Sequence, residues 1–210
     1  MIFEVFNKKD AQIEKVYEKS MKEFNRFFGL NWKRNLPSIF LVPNRKIIDL
    51  LKGHKTESWV VGWVDGNNIF LLDRRNYNSE SSHKYSEKEY NALLKHELCH
   101  LFFQGVSKGG FLKPRWMDEG VSIFLSGQTK LRKKPQKFEK FLEFYDKGGS
   151  GIYSESGFVV EILVKNYGKQ RLLELIKNIS KQKNRKQFNN LFKKIYGFYP
   201  SYEKFNEMLK

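Results

Sequence analysis

The stretch "EYNALLKHELCHLFFQG", residues 89–105, constrains this chain most, because it places His96 and His100 four residues apart with Glu97 between them. Residues four apart lie on the same face of an α-helix, about 5–6 Å apart at Cβ, so both imidazoles can approach one metal ion. Apolar residues recur at helical spacing in the same stretch: Tyr90, Leu93, Leu94, Leu98, Leu101 and Phe102. Because Ser86 and Glu89 form a capping-box pattern before them, we expect a buried helix over 86–104.

A metal site on this helix needs a third ligand, since two histidines can also share one helical face by coincidence. A catalytic zinc ion keeps three protein ligands and one open position. Cys99 is the only cysteine, so the ligands must be histidines and carboxylates, which leaves Asp and Glu side chains together with His54 and His83. Glu97 has a different expected role, because its position allows it to reach a water beside the metal as a general base.

The next segment with a helical pattern offers a candidate for the third ligand. In "PRWMDEGVSIFLSG", residues 114–127, Glu119 follows His100 after 18 intervening residues. That length allows the first helix to end, the chain to turn, and a second helix to bring a carboxylate back beside the histidines.

An HExxH motif followed after 18 residues by the Glu of a W-x-x-E-G segment resembles the gluzincin group of zinc metallopeptidases, which includes thermolysin-like and aminopeptidase N-like enzymes. The resemblance covers roughly residues 58–180. It implies that His96, His100 and Glu119 bind one Zn²⁺ and that Glu97 is the general base acting on a zinc-bound water. The implied function is zinc-dependent hydrolysis of peptide bonds in a peptide or protein substrate.

The resemblance also implies an α+β, zincin-like fold. In this fold a small mixed sheet and the active-site helix form an upper subdomain, and a mostly helical lower subdomain supplies the third ligand. We expect residues 1–105 to form the upper part and residues 106–210 the lower part of one compact catalytic unit.

Local patterns along the chain predict a similar set of elements. They predict an N-terminal helix capped by Asn7 and ended by Gly29, a strand over 38–43, a short helix ended by Gly53, and a hairpin of strands 58–64 and 68–73 around Asp65-Gly66-Asn67. They also predict helices over 86–104, 115–126, 135–147, 155–167, 168–180, 185–196 and 201–209. We expect residues 68–74 to be the edge strand beside the cleft, where an extended peptide can pair with it.

Two departures from the family pattern refine these expectations. Aminopeptidase N-like enzymes hold the substrate amine with a Glu in a Gly-x-Met-Glu-Asn stretch, and no Glu lies between Gly62 and Asp73, so we favour an endopeptidase. Thermolysin-like enzymes orient one zinc histidine with an Asp four residues after the third ligand. Ile123 occupies that position here, and Asp118 and Ser122 are the possible substitutes.

A tyrosine is the expected donor to the oxyanion of the tetrahedral intermediate, because similar enzymes use a Tyr or His from the lower subdomain. Tyr153 is the first candidate and Tyr145 the second. Either tyrosine can equally have a purely structural role, since the chain contains 10 tyrosines.

The charge of the chain leaves a second class of function open. The net charge is +16, and residues 130–210 contain 19 Lys and Arg against 8 Asp and Glu. Such a surface attracts acidic partners, including nucleic acid, or simply keeps helix faces solvated. The alternative function is therefore a latent or inactive gluzincin-fold protein that acts as a basic nucleic-acid-binding or protein-binding module, with basic clusters at 130–137 and 181–186.

The N-terminal residues lack the apolar core of a signal peptide, and no apolar run approaches the roughly 18 residues that cross a bilayer. We therefore expect a cytoplasmic protein with no membrane span.

Overall fold

Eight α-helices and a three-stranded sheet form the structure, a computed structural model that describes residues 6–109, 113–149 and 151–209. The fold is mixed α and β and mostly helical, as expected. The helices are α1 (Ala11–Phe28), α2 (Arg45–Lys52), α3 (Tyr77–Glu80), α4 (Glu87–Ser107), α5 (Arg115–Ser126), α6 (Ile152–Ile179), α7 (Arg185–Tyr196) and α8 (Tyr202–Leu209). The strands are β1 (Ser38–Val42), β2 (Gly62–Asp65) and β3 (Asn68–Leu72).

The sheet has the order β1-β3-β2, with β1 parallel and β2 antiparallel to β3. The predicted hairpin is confirmed, since β2 and β3 pair directly across the two-residue turn at Gly66 and Asn67. The edge-strand prediction for residues 68–74 is wrong, because β3 pairs on both sides and lies at the centre of the sheet. The parallel partner β1 lies about 30 residues earlier in the chain, at a separation that local patterns do not reveal.

Helix α4 contacts the sheet through β2 and β3 and also packs against α1, α5 and α6. The Tyr90 hydroxyl donates a 2.9 Å hydrogen bond to the carbonyl of Leu72, which ties the start of α4 to the end of β3. On another face, the ring of Phe102 packs against Phe24 and Phe28 of α1, with ring centroids 5.5 and 5.7 Å away. The helix that carries the HExxH motif is therefore held on several sides by the core.

The N-terminal helix begins later than the sequence pattern predicts. The side chain of Asp10, and not that of Asn7, caps α1 by accepting from the backbone N–H of Ile13. Both residue types are good N-caps, and the first buried apolar residue of the helix, Ile13, lies three residues after Asp10. The predicted end at Gly29 is confirmed.

The helix predicted over residues 135–147 is absent, and this segment is a loop with one short 3₁₀ turn at Phe141–Glu143. The buried carboxylate of Glu155 accepts hydrogen bonds from the backbone N–H groups of Glu139, Lys140 and Phe141 at 2.9–3.1 Å. These donors therefore bind a distant side chain and are not available to helical carbonyls. Glu155, which lies 14–16 positions later in the chain, therefore holds residues 139–141 in a loop conformation. The loop does not form the helix that its sequence pattern predicts.

The two helices predicted over 155–167 and 168–180 form the single element α6, which bends at Gly168, where φ is 78°. This backbone conformation is favourable only for glycine. The boundary that the sequence predicts between residues 167 and 168 is therefore a kink within one helical element. Among the helices that the described residues form, none combines the length and apolar character needed to cross a bilayer.

Helices α5 and α6 approach closely at two glycines. A Cβ atom on Gly120 of α5 would lie 2.6 Å from the backbone oxygen of Ser156, and one on Gly157 of α6 would collide with the side chain of Ile123. This approach holds α5 firmly against α6.

We expect Gly120→Ala to lower the free energy of unfolding by about 1–3 kcal/mol, because the added methyl group meets a backbone atom that cannot move aside. Chemical denaturation followed by tryptophan fluorescence measures the change. Gly105→Ala on α4 is the matched control, since a Cβ there meets no atom within 4 Å. The control should raise stability by about 0.5–1 kcal/mol, and equal effects of the two variants would contradict the close contact.

Candidate metal centre

Three buried side chains from two helices form a candidate metal-binding group. His96 and His100 project from one face of α4, and Glu119 projects from α5, which packs against it. Each of the three residues is only 5–7% exposed, so water is largely excluded from the group. The structure thus brings together the three residues that the sequence predicted as ligands.

The ligand atoms of this group are spaced as a tetrahedral metal requires. Nε2 of His96 lies 3.0 Å from Nε2 of His100 and 3.2 Å from Oε2 of Glu119, and the remaining distance, His100 Nε2 to Glu119 Oε2, is 3.7 Å. Zinc with ligand bonds of about 2.0–2.1 Å separates tetrahedral ligand atoms by roughly 3.3–3.4 Å. The three residues can therefore hold one ion with little rearrangement.

One oxygen of Glu119 supports the same conclusion. Glu119 Oε2 is buried, and no described residue donates it a hydrogen bond of normal geometry. Its other oxygen, Oε1, lies 3.3 Å from a guanidinium nitrogen of Arg115. A buried carboxylate oxygen without a donor is costly, and a metal ion satisfies it.

Polar side chains contact the Nδ1 atom of each imidazole ring and orient both rings so that their Nε2 atoms face each other. Nδ1 of His100 lies 2.7 Å from Asp118 Oδ1 and 3.2 Å from Ser122 Oγ, the two residues suggested in place of the aspartate that thermolysin-like enzymes use. Nδ1 of His96 lies 3.1 Å from Oε1 of Gln128. Such partners fix the ring orientation of metal-binding histidines and raise their basicity.

Two of the orienting residues were missed at the sequence level. Arg115 contacts Asp118 and Glu119 at 3.2 and 3.3 Å, and its i, i+3 and i, i+4 spacing to them on one helix was a visible signal. Gln128 follows α5 in a short 3₁₀ turn, and nothing in its local sequence distinguishes it.

The buried charges shift several pKa values. Burial alone would lower the pKa of His100, but Asp118 and Glu119 outweigh it and hold this pKa well above its ordinary value. Burial would raise the pKa of Glu119, but the imidazoles of His100 and His96 lower it to about 2. Burial raises the pKa of Glu97, which the neighbouring imidazoles oppose only partly.

Glu97 is buried beside the group, next to the edge strand β2. A Cβ atom on Gly62 would lie 3.0 Å from Glu97 Oε1, so only glycine leaves the carboxylate its full space. The edge strand and the preceding residues line a cleft over the candidate ligands. The strand beside the cleft is therefore β2. The sequence pattern predicts residues 68–74 in this place, but these residues contain the central strand β3.

The cleft consists of two cavities that meet at His96, Glu97 and Tyr153. One cavity, of about 590 Å³, extends past His96, and the other, of about 500 Å³, extends past His100. We call them the His96 cavity and the His100 cavity.

The predicted tyrosine Tyr153 lies at the start of α6, with its ring centroid 6.3 Å from that of His96. Burial, with the charges of Glu119 and Glu97, raises the pKa of its hydroxyl, which therefore remains a hydrogen-bond donor at neutral pH. The alternative, Tyr145, lines neither cavity.

Comparison of the chain with protein-family models, with curated proteins and with solved structures found no match.

We expect Asp118→Asn to weaken zinc binding about 10–100-fold, because the neutral amide no longer supports the His100 ring with a charge. Competition with a chromophoric chelator measures the affinity. Asp146→Asn, at an exposed position that pairs with Lys113, is the matched control and should bind zinc like the wild type. An unchanged affinity in Asp118→Asn would show that this contact does not support the ligand.

We expect zinc binding at pH 7 to release a proton from His100, since its raised pKa keeps the metal-free ring protonated and ligation requires the neutral ring. The apparent affinity should therefore rise with pH. Calorimetric titration in two buffers with different ionisation enthalpies counts the protons. Equal heats in both buffers would contradict a charged imidazole in the metal-free state.

Proposed function

We propose that this chain is a zinc-dependent endopeptidase of the gluzincin type, with a zincin-like fold. The observation that carries the proposal is the convergence of the buried His96 Nε2, His100 Nε2 and Glu119 Oε2 atoms, 3.0–3.7 Å apart. Glu97 lies beside them in an open cleft. This arrangement contains a metal site and a base together, which a purely structural metal site does not need.

Two imidazoles and one carboxylate favour zinc as the metal. This donor set is typical of catalytic zinc, and it leaves one coordination position open. When bound, zinc supplies Lewis-acid chemistry, which lowers the pKa of a water molecule and polarises the carbonyl of the scissile peptide bond.

Glu97 has the position and the raised pKa of a general base. Its carboxylate takes a proton from the attacking water and delivers it to the nitrogen of the departing amine. Burial raises its pKa above that of an ordinary carboxyl group, which makes the carboxylate a stronger base. The missing side chain at Gly62 leaves room for this transfer beside the edge strand.

Tyr153 is the proposed donor to the oxyanion that forms when water attacks the carbonyl. Its ring lines both cavities next to His96, and its hydroxyl stays protonated at neutral pH. Arg132 donates a hydrogen bond to the backbone carbonyl of Tyr153, which holds this residue in place. A preorganised donor of this kind stabilises the developing negative charge.

The edge strand β2 offers a place for the substrate backbone. Val61 pairs with Leu72 through a hydrogen bond, so by alternation the peptide groups of Gly62 and Val64 point away from β3. An extended peptide can pair with them along the cleft, independently of its sequence. The two cavities, which share His96, Glu97 and Tyr153, leave room for residues before and after the scissile bond, which supports an endopeptidase.

We expect Glu97→Gln to bind one zinc ion like the wild type but to hydrolyse a quenched fluorescent peptide library at least about 100-fold more slowly, since the amide cannot accept the proton. Glu87→Gln is the matched control, because Glu87 is an exposed residue of the same helix away from both cavities. It should retain full activity that a chelator abolishes.

Two results would contradict the proposal. Equal hydrolysis by Glu97→Gln and the wild type would exclude Glu97 as the base. Zinc binding without hydrolysis by the wild type would favour the latent or binding-module alternative, which salt-dependent retention on immobilised DNA or RNA would then test.

A further inference from the structure

The lining of the His96 cavity includes a cation, Arg132, of which the proposed chemistry uses only the hydrogen bond to the carbonyl of Tyr153. Leu93 and His96 of α4 line this cavity together with Gln128, Leu131 and Arg132, which follow α5 in the chain. Lys84 lies at its exposed rim. The cavity therefore combines apolar walls with two positive groups.

Arg132 is anchored in this wall without being neutralised by a carboxylate. One guanidinium nitrogen donates to the backbone carbonyl of Tyr153, and the guanidinium carbon lies 6.0 Å from the centroid of the Tyr153 ring. In the part of the chain that the structure describes, no Asp or Glu forms an ion pair with Arg132. Its remaining donors are available to a ligand.

The cation of the other cavity has a different environment. Arg115 lines the His100 cavity, but Asp118 and Glu119 contact it at 3.2 and 3.3 Å. The two halves of the cleft thus differ: the arginine of the His100 cavity contacts two carboxylates of the metal centre, whereas the arginine of the His96 cavity contacts Tyr153.

Carboxyl groups lie near Arg132, but none of those that the structure describes forms an ion pair with its guanidinium. Two carboxyl groups of α4, Glu89 and Glu97, also line this space. Glu89, which is exposed, and Glu119 both act on Arg132 through their charges without forming an ion pair with it, and Glu97 lies against Gly62. A planar guanidinium held by a ring and a carbonyl is preorganised to bind a carboxylate through two parallel hydrogen bonds.

We propose that the His96 cavity is a specificity subsite for an acidic side chain, Asp or Glu, of the peptide substrate, held by Arg132 with Lys84 at the rim. The proposal rests on the proposed peptidase function, because it assigns the substrate class of the same cleft. It agrees with the excess of basic residues in residues 130–210, which attracts acidic peptides to this side of the molecule.

A positional-scanning peptide library tests the subsite by hydrolysis. At one position beside the scissile bond, the wild type should prefer Asp or Glu over Asn or Gln by about 10–100-fold in kcat/KM, as expected for a charge-assisted pair. Arg132→Glu should reverse this preference toward Lys and Arg at the same position. Such a reversal requires a folded site, so it cannot arise from misfolding.

Lys133→Glu is the matched control, because it makes the same change in charge at the next residue, which is exposed and lines neither cavity. It should keep the acidic preference. Equal losses in Arg132→Glu and Lys133→Glu would show only long-range attraction and would overturn the subsite, as would a wild type without any acidic preference.

A binding measurement separates this proposal from the peptidase proposal. Fluorescein-labelled peptides that differ only in Glu, Gln or Lys at each scanned position are titrated onto zinc-loaded Glu97→Gln, with and without Arg132→Glu. An acidic preference that Arg132→Glu reverses supports the subsite even if the wild type cleaves nothing. Hydrolysis by the wild type with no charge preference in either measurement would overturn the subsite and leave the peptidase function intact.

Discussion

The buried charge beside the HExxH helix is the constraint on which the rest of the structure depends. Three carboxyl groups, those of Glu97, Asp118 and Glu119, lie within one buried cluster, and the guanidinium of Arg115 contacts the last two. When both histidines are neutral, as metal ligation requires, the carboxylates of Asp118 and Glu119 together exceed the positive charge of Arg115, and a divalent cation offsets the excess. The close approach of α5 to α6 holds the helix that supplies two of these carboxyl groups.

Local sequence signals predicted the parts of the site that lie within single elements. The spacing of His96 and His100, the cap at Ser86 and the apolar stripe all belong to one helix, and the structure places that helix as expected. Contacts between distant segments were not predictable: β1 pairs with β3 and makes it central, and Glu155 organises the 135–147 loop. Gln128 was missed for the same reason, since only the folded chain brings it to His96.

The proposed cleft is asymmetric in a way that connects chemistry to substrate choice. The proposed pairing of a substrate with the edge strand β2 uses backbone groups alone and would provide affinity for many sequences. Selectivity among substrates must then come from the side chains that line the two cavities. Arg115 of the His100 cavity contacts the carboxylates of Asp118 and Glu119, whereas Arg132 of the His96 cavity lies over the ring of Tyr153. Tyr153 lies where the cavities meet, so it connects the proposed substrate-binding wall to the proposed reacting atoms.

Anomalous diffraction at the zinc absorption edge, from crystals grown with zinc, determines whether the three candidate ligands bind the metal. We predict one strong anomalous peak at about 2.0–2.2 Å from His96 Nε2, His100 Nε2 and Glu119 Oε2, and the loss of that peak in data collected below the edge. A zinc peak bound elsewhere, or no peak between these three atoms in zinc-replete crystals, would contradict it.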